Sequence, residues 1–243
     1  MDAIEMLRDD ANYYGDFGKQ YLSNSDIGTL LKDPSQFGVS QPDNQNFAKG
    51  RYFHQLILEP SKAEDVKYVE VSTRNTKVYK QYCQDNNVPY VLLESEVIDI
   101  QGLVKRMLSN YTFFEDIRNN GNEYEVPAIG KIFGVMWKGK ADIVHPDMII
   151  DLKTTSNIDD FKWSARRYNY DSQAYIYQTL FGKPLVFYAI EKGTGRMGIY
   201  RPTTEFLERG EDKVKRAIEV YKKFFADNAK ENINDYYIEE ELI

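Results

Sequence analysis

Asp142, Asp151 and Lys153 are the residues whose types and spacing could do chemistry together. They lie in GKADIVHPDMIIDLKTT, on either side of a short turn at His145-Pro146-Asp147. If the loop proper is the two residues Pro146-Asp147, Asp142 faces Asp151 directly across a hairpin. A three-residue loop would put the two aspartates on opposite faces, because strand side chains alternate. Facing carboxylates destabilise a sheet unless a cation compensates them, and a divalent metal is such a cation. Lys153 stands two residues beyond Asp151, so alternation returns its ammonium to the same face. Carboxylate oxygens suit Mg²⁺, a hard cation. Such a metal polarises a phosphoryl oxygen and lowers the pKa of bound water. A lysine beside it can orient or help deprotonate that water and offset charge at phosphorus. The chemistry is phosphodiester hydrolysis, with the backbone carbonyl of Leu152 as an additional metal ligand. The plain alternative is a hairpin with surface Asp and Lys.

Positioning these groups requires a sheet and helices to brace it. The 243 residues contain no repeat, low-complexity tract or Pro/Gly/Ser linker, so one domain over 1–243 is expected. Its parts are a helical N-terminal part over about 1–118, a catalytic sheet core over about 122–201, and a C-terminal helix with acidic tail over about 203–243. SNSDIGTLLKDPSQFG begins with N-capping serines and stops near Pro34. FAKGRYFHQLILEP reads as a second helix ended by Pro60, and residues 95–117 repeat apolar positions at helical spacing. After Asn122 the pattern changes, predicting strands at about 123–129, 132–144 and 148–153. One long helix is expected over about 158–181, closed by Gly182 with Pro184 beyond. LVFYAIEK and RMGIYR flank Gly193-Thr194-Gly195 as a hairpin. A final amphipathic helix fills about 203–229. The fold class expected is α/β, with a central mixed β-sheet flanked by helices.

Lys and Arg number 31 against 38 Asp and Glu, a formal charge of −7. That sum is a weak argument against nucleic acid, because binding answers to the local field. Acidic residues gather in DYYIEEELI and near the N-terminus. Basic ones gather at Arg74, Lys77 and Lys80, then at Lys162, Arg166 and Arg167; ordinary solvated helix faces look the same. The single cysteine, Cys83, excludes an internal disulfide and a Cys-based zinc or iron–sulfur site within one chain. No apolar run approaches the roughly 20 residues of a membrane span. MDAIEMLRDD lacks the basic and apolar regions of a signal peptide, so a cytoplasmic protein is expected.

A hairpin bearing Asp142, followed by Asp151-Leu152-Lys153, resembles the PD-(D/E)XK nuclease signature. More specifically it is similar to the phage exonuclease VIII (RecE-like) branch, related to lambda exonuclease and the RecB nuclease domain, where the second acidic residue is often Asp. The resemblance implies a restriction-endonuclease-like core. Gln173 and Tyr177 match a Gln-x-x-x-Tyr pair that supports the site or contacts DNA in similar proteins; their spacing puts both on one helix face. Alone, the pair would more often be a polar boundary residue and a core tyrosine. KGRYFHQLILEP resembles the family's early helix and makes His54 a candidate metal ligand or site-positioning group, though a lone histidine beside leucines is more often structural. YLSNSDIGTLLKDPSQF resembles the serine-rich helix with which such nucleases begin. Glu125 is the choice for a further acidic metal ligand; Glu123, on the same strand face, is its rival. Relatives with an iron–sulfur cluster need four cysteines and are excluded.

The resemblance implies a Mg²⁺-dependent DNA exonuclease, Mn²⁺ substituting, that digests linear duplex ends 5′-to-3′ in phage-type recombination or replication. It further implies a homo-oligomer, a single-strand annealing protein as partner, and the host cytoplasm if the chain is phage-encoded. Arg74, Lys77, Lys162, Arg166 and Arg167 are the candidate phosphate contacts. Competing readings are a structure-specific or single-strand endonuclease on the same core, a non-catalytic DNA-end-binding or scaffold protein, and a host inhibitor whose acidic tail mimics DNA. Cys83 and His145 read as structural. Trp137 and most tyrosines read as core or boundary residues, with base stacking as the alternative.

Overall fold

Helix-forming sequence and strand-forming sequence divide near Asn122, and the computed structural model follows that division. It describes residues 2–39 and 44–238; residues 239–243 of the acidic C-terminal run lie outside the described residues. The first part comprises α1 (Ala3–Met6), α2 (Asp10–Tyr14), α3 (Asn24–Lys32), α4 (Gln45–Leu58), α5 (Pro60–Glu64), α6 (Lys77–Asp85), α7 (Glu94–Leu108) and α8 (Tyr111–Ile117). Two short parallel strands, β1 (Tyr68–Val69) and β2 (Leu92–Leu93), lie among them. Asp26 starts α3 by accepting the Ser23 N–H at 2.7 Å, and Pro34 follows its end. The helix expected over 95–117 is two, because the Asn110 side chain accepts the Phe113 N–H and caps α8 anew.

The second part contains β3 (Glu123–Ile132), β4 (Val135–Val144), β5 (Ile149–Thr155), α9 (Phe161–Arg167), α10 (Tyr170–Phe181), β6 (Leu185–Glu191), β7 (Met197–Tyr200) and α11 (Thr204–Phe224). Sheet order is β3-β4-β5-β6-β7, with β5/β6 parallel and the other pairs antiparallel. This is the mixed sheet flanked by helices that the pattern predicts. Three boundaries differ, one being the final helix, which ends at Phe224 and not near 229. The first hairpin turns at Phe133-Gly134, both at positive φ (47° and 84°), and Gly130 stays in strand β3. The helix expected over 158–181 breaks at Asn169, whose φ of 57° and ψ of 37° are left-handed, a conformation asparagine tolerates.

Alternation along β6 sends Leu185, Phe187 and Ala189 to one core and Val186, Tyr188 and Ile190 to the other. The first core packs under α3, α10 and α11; Trp137 is fully buried in it, which removes it from base stacking. The second packs Ile150 and Leu152 against α4, α7 and α8. No helix among the described residues is long and apolar enough to cross a membrane.

One carboxylate ties the N-terminal half of α4 to α7. Glu96, nearly buried, accepts from Gln45 Nε2 at 3.1 Å, the Leu93 N–H at 3.0 Å and Tyr90 Oη at 2.9 Å. It pairs with Lys49 at 2.7 Å and closely with Arg74. Burial alone would raise its pKa, but Arg74, the Leu93 N–H and Lys49 outweigh that and hold it down at about 2, against 4.5 ordinarily. A depressed carboxylate contributes stability above its unfolded pKa and loses it as pH falls toward the folded one. Glu96→Gln is therefore expected to cost about 2 kcal/mol at pH 7. The deficit should shrink below about pH 4.5. Denaturant midpoints of both proteins at several pH values check this; a deficit independent of pH would contradict it.

Candidate active site

The β4/β5 ladder makes two residue pairs, Ile143 with Ile150 and Val144 with Ile149, closed by the His145 N–H to Met148 carbonyl bond at 2.9 Å. The loop is thus the two-residue one, and one further step in that register puts Asp142 opposite Asp151. There the strands part. Asp142 Oδ2 accepts the Leu152 N–H at 2.7 Å, doing the work of a backbone carbonyl. On the other side of β4, Glu125 falls opposite Asp142, between the pairs Tyr124/Ile143 and Val126/Ala141. Three carboxylates therefore lie in a row across three neighbouring strands. Glu125 has φ of 51°, left-handed and unfavourable for a side chain of this kind, and such strain concentrates at functional sites. It lines the cleft, whereas its rival Glu123 is exposed and does not.

His54 reaches this row from α4. Its Nε2 donates to the Leu152 carbonyl at 3.0 Å, which fixes the ring and leaves Nδ1 facing Asp142 Oδ1 at 3.4 Å. Burial disfavours its charge, but Asp142 prevails and raises its pKa to about 8. Burial also raises Asp142, yet His54, Lys153 and the Leu152 N–H hold it below the ordinary carboxylate value. Asp151 is raised by burial and by Asp142 despite Lys153. Its Oδ1 accepts from Gln173 Nε2 at 2.6 Å. Its Oδ2 lies 2.6 Å from Lys153 Nζ, off the hydrogen-bond direction, and has no hydrogen-bond partner among the described residues. Asp151 keeps the Lys153 pKa above the ordinary lysine value, and the Tyr170 ring covers the ammonium at 4.7 Å.

A divalent cation fits these donors. One ring nitrogen of His54 and one oxygen each of Glu125 and Asp142 lie within 4.8 Å of one another. Asp151 lines the same cleft of about 740 Å³, its buried Oδ2 in the ion pair with Lys153. Acids crowded this closely repel one another until a cation arrives. Mixed carboxylate and imidazole donors are a set that divalent ions accept.

Asp142, Asp151, Lys153, His54, Glu125, Gln173 and Tyr177 all line that cleft. Tyr177 braces it by donating to the Lys140 carbonyl at 3.0 Å. Gly139 makes that approach possible, since a Cβ there would meet the Tyr177 ring at 2.9 Å. Arg74, Lys77, Lys162, Arg166 and Arg167 do not line it. Arg74 is held by Glu96 and Tyr90, so its guanidinium serves the fold and is not free for a phosphate. Lys77 is exposed on α6. Sequence reasoning did not select Lys140, Asp10 or Tyr170 as site residues. Lys140 precedes Asp142 by two positions, a usable signal; its ammonium pairs with Asp10 at 2.6 Å, a contact between distant residues that no local pattern announces.

Residues 33–232 match a family described as a PDDEXK-like domain of unknown function (DUF3799). Among solved structures, a protein of Eubacterium rectale named "putative exonuclease" superposes with a TM-score of 0.62 at 19% identity, covering 96% of this chain and 94% of that one. A phage-related exonuclease from Haemophilus somnus gives a TM-score of 0.34 at 15% identity, covering 64% and 89%. The first likeness is one of fold. No curated protein matches the sequence.

Crowding of the acids predicts a stability effect in metal-free protein. Burial and Asp142 raise the Glu125 pKa to about 7 from 4.5, so its ionisation opposes folding increasingly from pH 4.5 to about 7. In EDTA, Glu125→Gln should be more stable than the parent by about 1 kcal/mol at pH 8, after allowance for solvent screening, and show little gain at pH 4.5. Thermal melts at both pH values measure this. A variant no more stable at pH 8 than at pH 4.5 would show that the row is not electrostatically strained.

Proposed function

The chain belongs to the family of PDDEXK-like domains, and from that premise we propose that it is a Mg²⁺-dependent DNA nuclease cutting phosphodiester bonds from the ends of linear duplex DNA, 5′-to-3′. The observation that carries this reading is the convergence of Asp142, Asp151 and Lys153, with His54 and Glu125, where β4 and β5 part. Phage-type recombination, a homo-oligomer and a single-strand annealing partner belong to the same proposal.

His54, Glu125 and Asp142 would hold the metal, with Asp151 beside them in the cleft and the Leu152 carbonyl, which accepts from His54 Nε2, as a further ligand. The bound ion supplies Lewis-acid polarisation of the phosphate and a more acidic water. The remaining work falls to side chains. Lys153 is kept cationic by Asp151 and sits in the cleft, where its ammonium orients the attacking water and offsets charge growing on the phosphate oxygens. Gln173 fixes Asp151 Oδ1, leaving the other oxygen to Lys153. Tyr177 locks the β4 backbone two residues before Asp142.

Digestion of end-labelled linear duplex and of covalently closed circular DNA tests the reading. Linear DNA should be degraded in Mg²⁺ and spared in EDTA. Lys153→Ala should lower the rate by about 10²–10³-fold, as loss of one charge-stabilising donor does. Gln173→Ala should lower it about 10–100-fold, as loss of a group orienting a metal ligand does. Cutting of the closed circle would replace the exonuclease with an endonuclease on the same core. Intact DNA throughout would refute the hydrolytic role.

A further inference from the structure

Helix α9 leaves the strand that carries Asp151 and Lys153 and presents an outer face that the catalytic chemistry does not use. Phe161 and Ala165, four residues apart, are buried. That places Lys162, Trp163, Arg166 and Arg167 on the outside, and all four are exposed. Trp163 is 56% exposed and Tyr168, just past the helix, 58%. Lys162 Nζ lies 5.2 Å from the Trp163 ring and the Arg166 guanidinium 5.4 Å from it, while Arg167 lies 5.9 Å from the Tyr168 ring. Among the described residues none of these three cations pairs with a carboxylate, on a chain whose formal charge is −7.

This face is rigid and close to the site. Phe161 stacks on Tyr200 at 4.2 Å, and Lys213 holds Asn169 at 2.8 Å, so both ends of the helix are anchored. The Tyr168 ring lies 6.2 Å from that of Tyr170, which in turn covers Lys153 Nζ at 4.7 Å. An aromatic path thus runs from the exposed face to the catalytic lysine.

We infer that α9 forms a binding ridge for single-stranded DNA, with bases stacked on Trp163 and Tyr168 and phosphates held by Lys162, Arg166 and Arg167. Duplex DNA offers phosphates but hides its base faces; exposed rings interleaved with cations suit unstacked bases. The inference rests on the nuclease reading for its biological sense, since removing one strand of a duplex leaves the other single beside the site. Binding itself does not require cleavage.

Fluorescence separates the two. Trp163 is exposed while Trp137, the other tryptophan, is fully buried, so quenching by DNA reports on α9. In EDTA, where hydrolysis is blocked, oligothymidylate of about 15 nucleotides should quench the emission. Trp163→Ala, read by polarisation of labelled oligonucleotide, should bind about tenfold more weakly. Arg166→Ala should flatten the log–log salt dependence of affinity by about 0.7. Trp163→Tyr, which keeps a ring, should recover most of the affinity, showing that the loss is of stacking and not of folding. Duplex of the same length should leave the emission unchanged. Unquenched emission at saturation, or parental affinity in Trp163→Ala, would overturn the ridge. Quenching without hydrolysis in Mg²⁺ would uphold the ridge and defeat the nuclease reading; hydrolysis without quenching would do the reverse.

Discussion

Strands β4 and β5 stay paired for two residues and then part, because Asp142 accepts the Leu152 N–H with its side chain. The separation opens the cleft between two well-packed cores. It also leaves the Leu152 carbonyl to His54 and sets Asp151 beside Lys153. Glu125, Asp142 and Asp151 then stand in one row across three strands, the two aspartates buried and Glu125 half-buried. Carboxylates in that position are costly unless cations reach them. Without metal, His54 and Lys153 supply part of the compensation; a divalent ion would supply the remainder and take His54 as neutral imidazole.

Much of the surrounding structure serves to hold that row. Ile143, Ile150 and Leu152 anchor the parting strands in one core, while Tyr177 and Gln173 approach from α10 on the other side. Helix α4 delivers His54, and Glu96 fixes α4 through Gln45 and Lys49. The left-handed backbone at Glu125 is the local cost of turning that acid into the cleft. Stability is spent here on a geometry, as expected where a site must be ready before its ligand arrives.

The sheet was legible because alternation after Asn122 is regular and its turns carry their own chemistry. The short loop at Pro146-Asp147 made the Asp142–Asp151 register readable once its length was chosen, and Asp151-Leu152-Lys153 made the family readable. Less was visible where a single backbone conformation decides the outcome. Nothing local marks Asn169 as left-handed, so two helices read as one. Glu123 and Glu125 share a strand face by alternation, and it is the backbone turned to positive φ at Glu125, lining the cleft while Glu123 stays exposed, that separates them. Contacts between distant residues were invisible for the usual reason: Asp10 meets Lys140, and Arg74 meets Glu96, through tertiary packing that no periodicity encodes.

Manganese binding followed by electron paramagnetic resonance, on the parent chain and on Asp142→Asn, tests the acid row most directly, because it asks whether the row holds a cation without asking for turnover. The account predicts saturable Mn²⁺ uptake by the parent and its loss in Asp142→Asn while the variant stays folded by circular dichroism. Equal uptake by both proteins, or none by the parent, would contradict it.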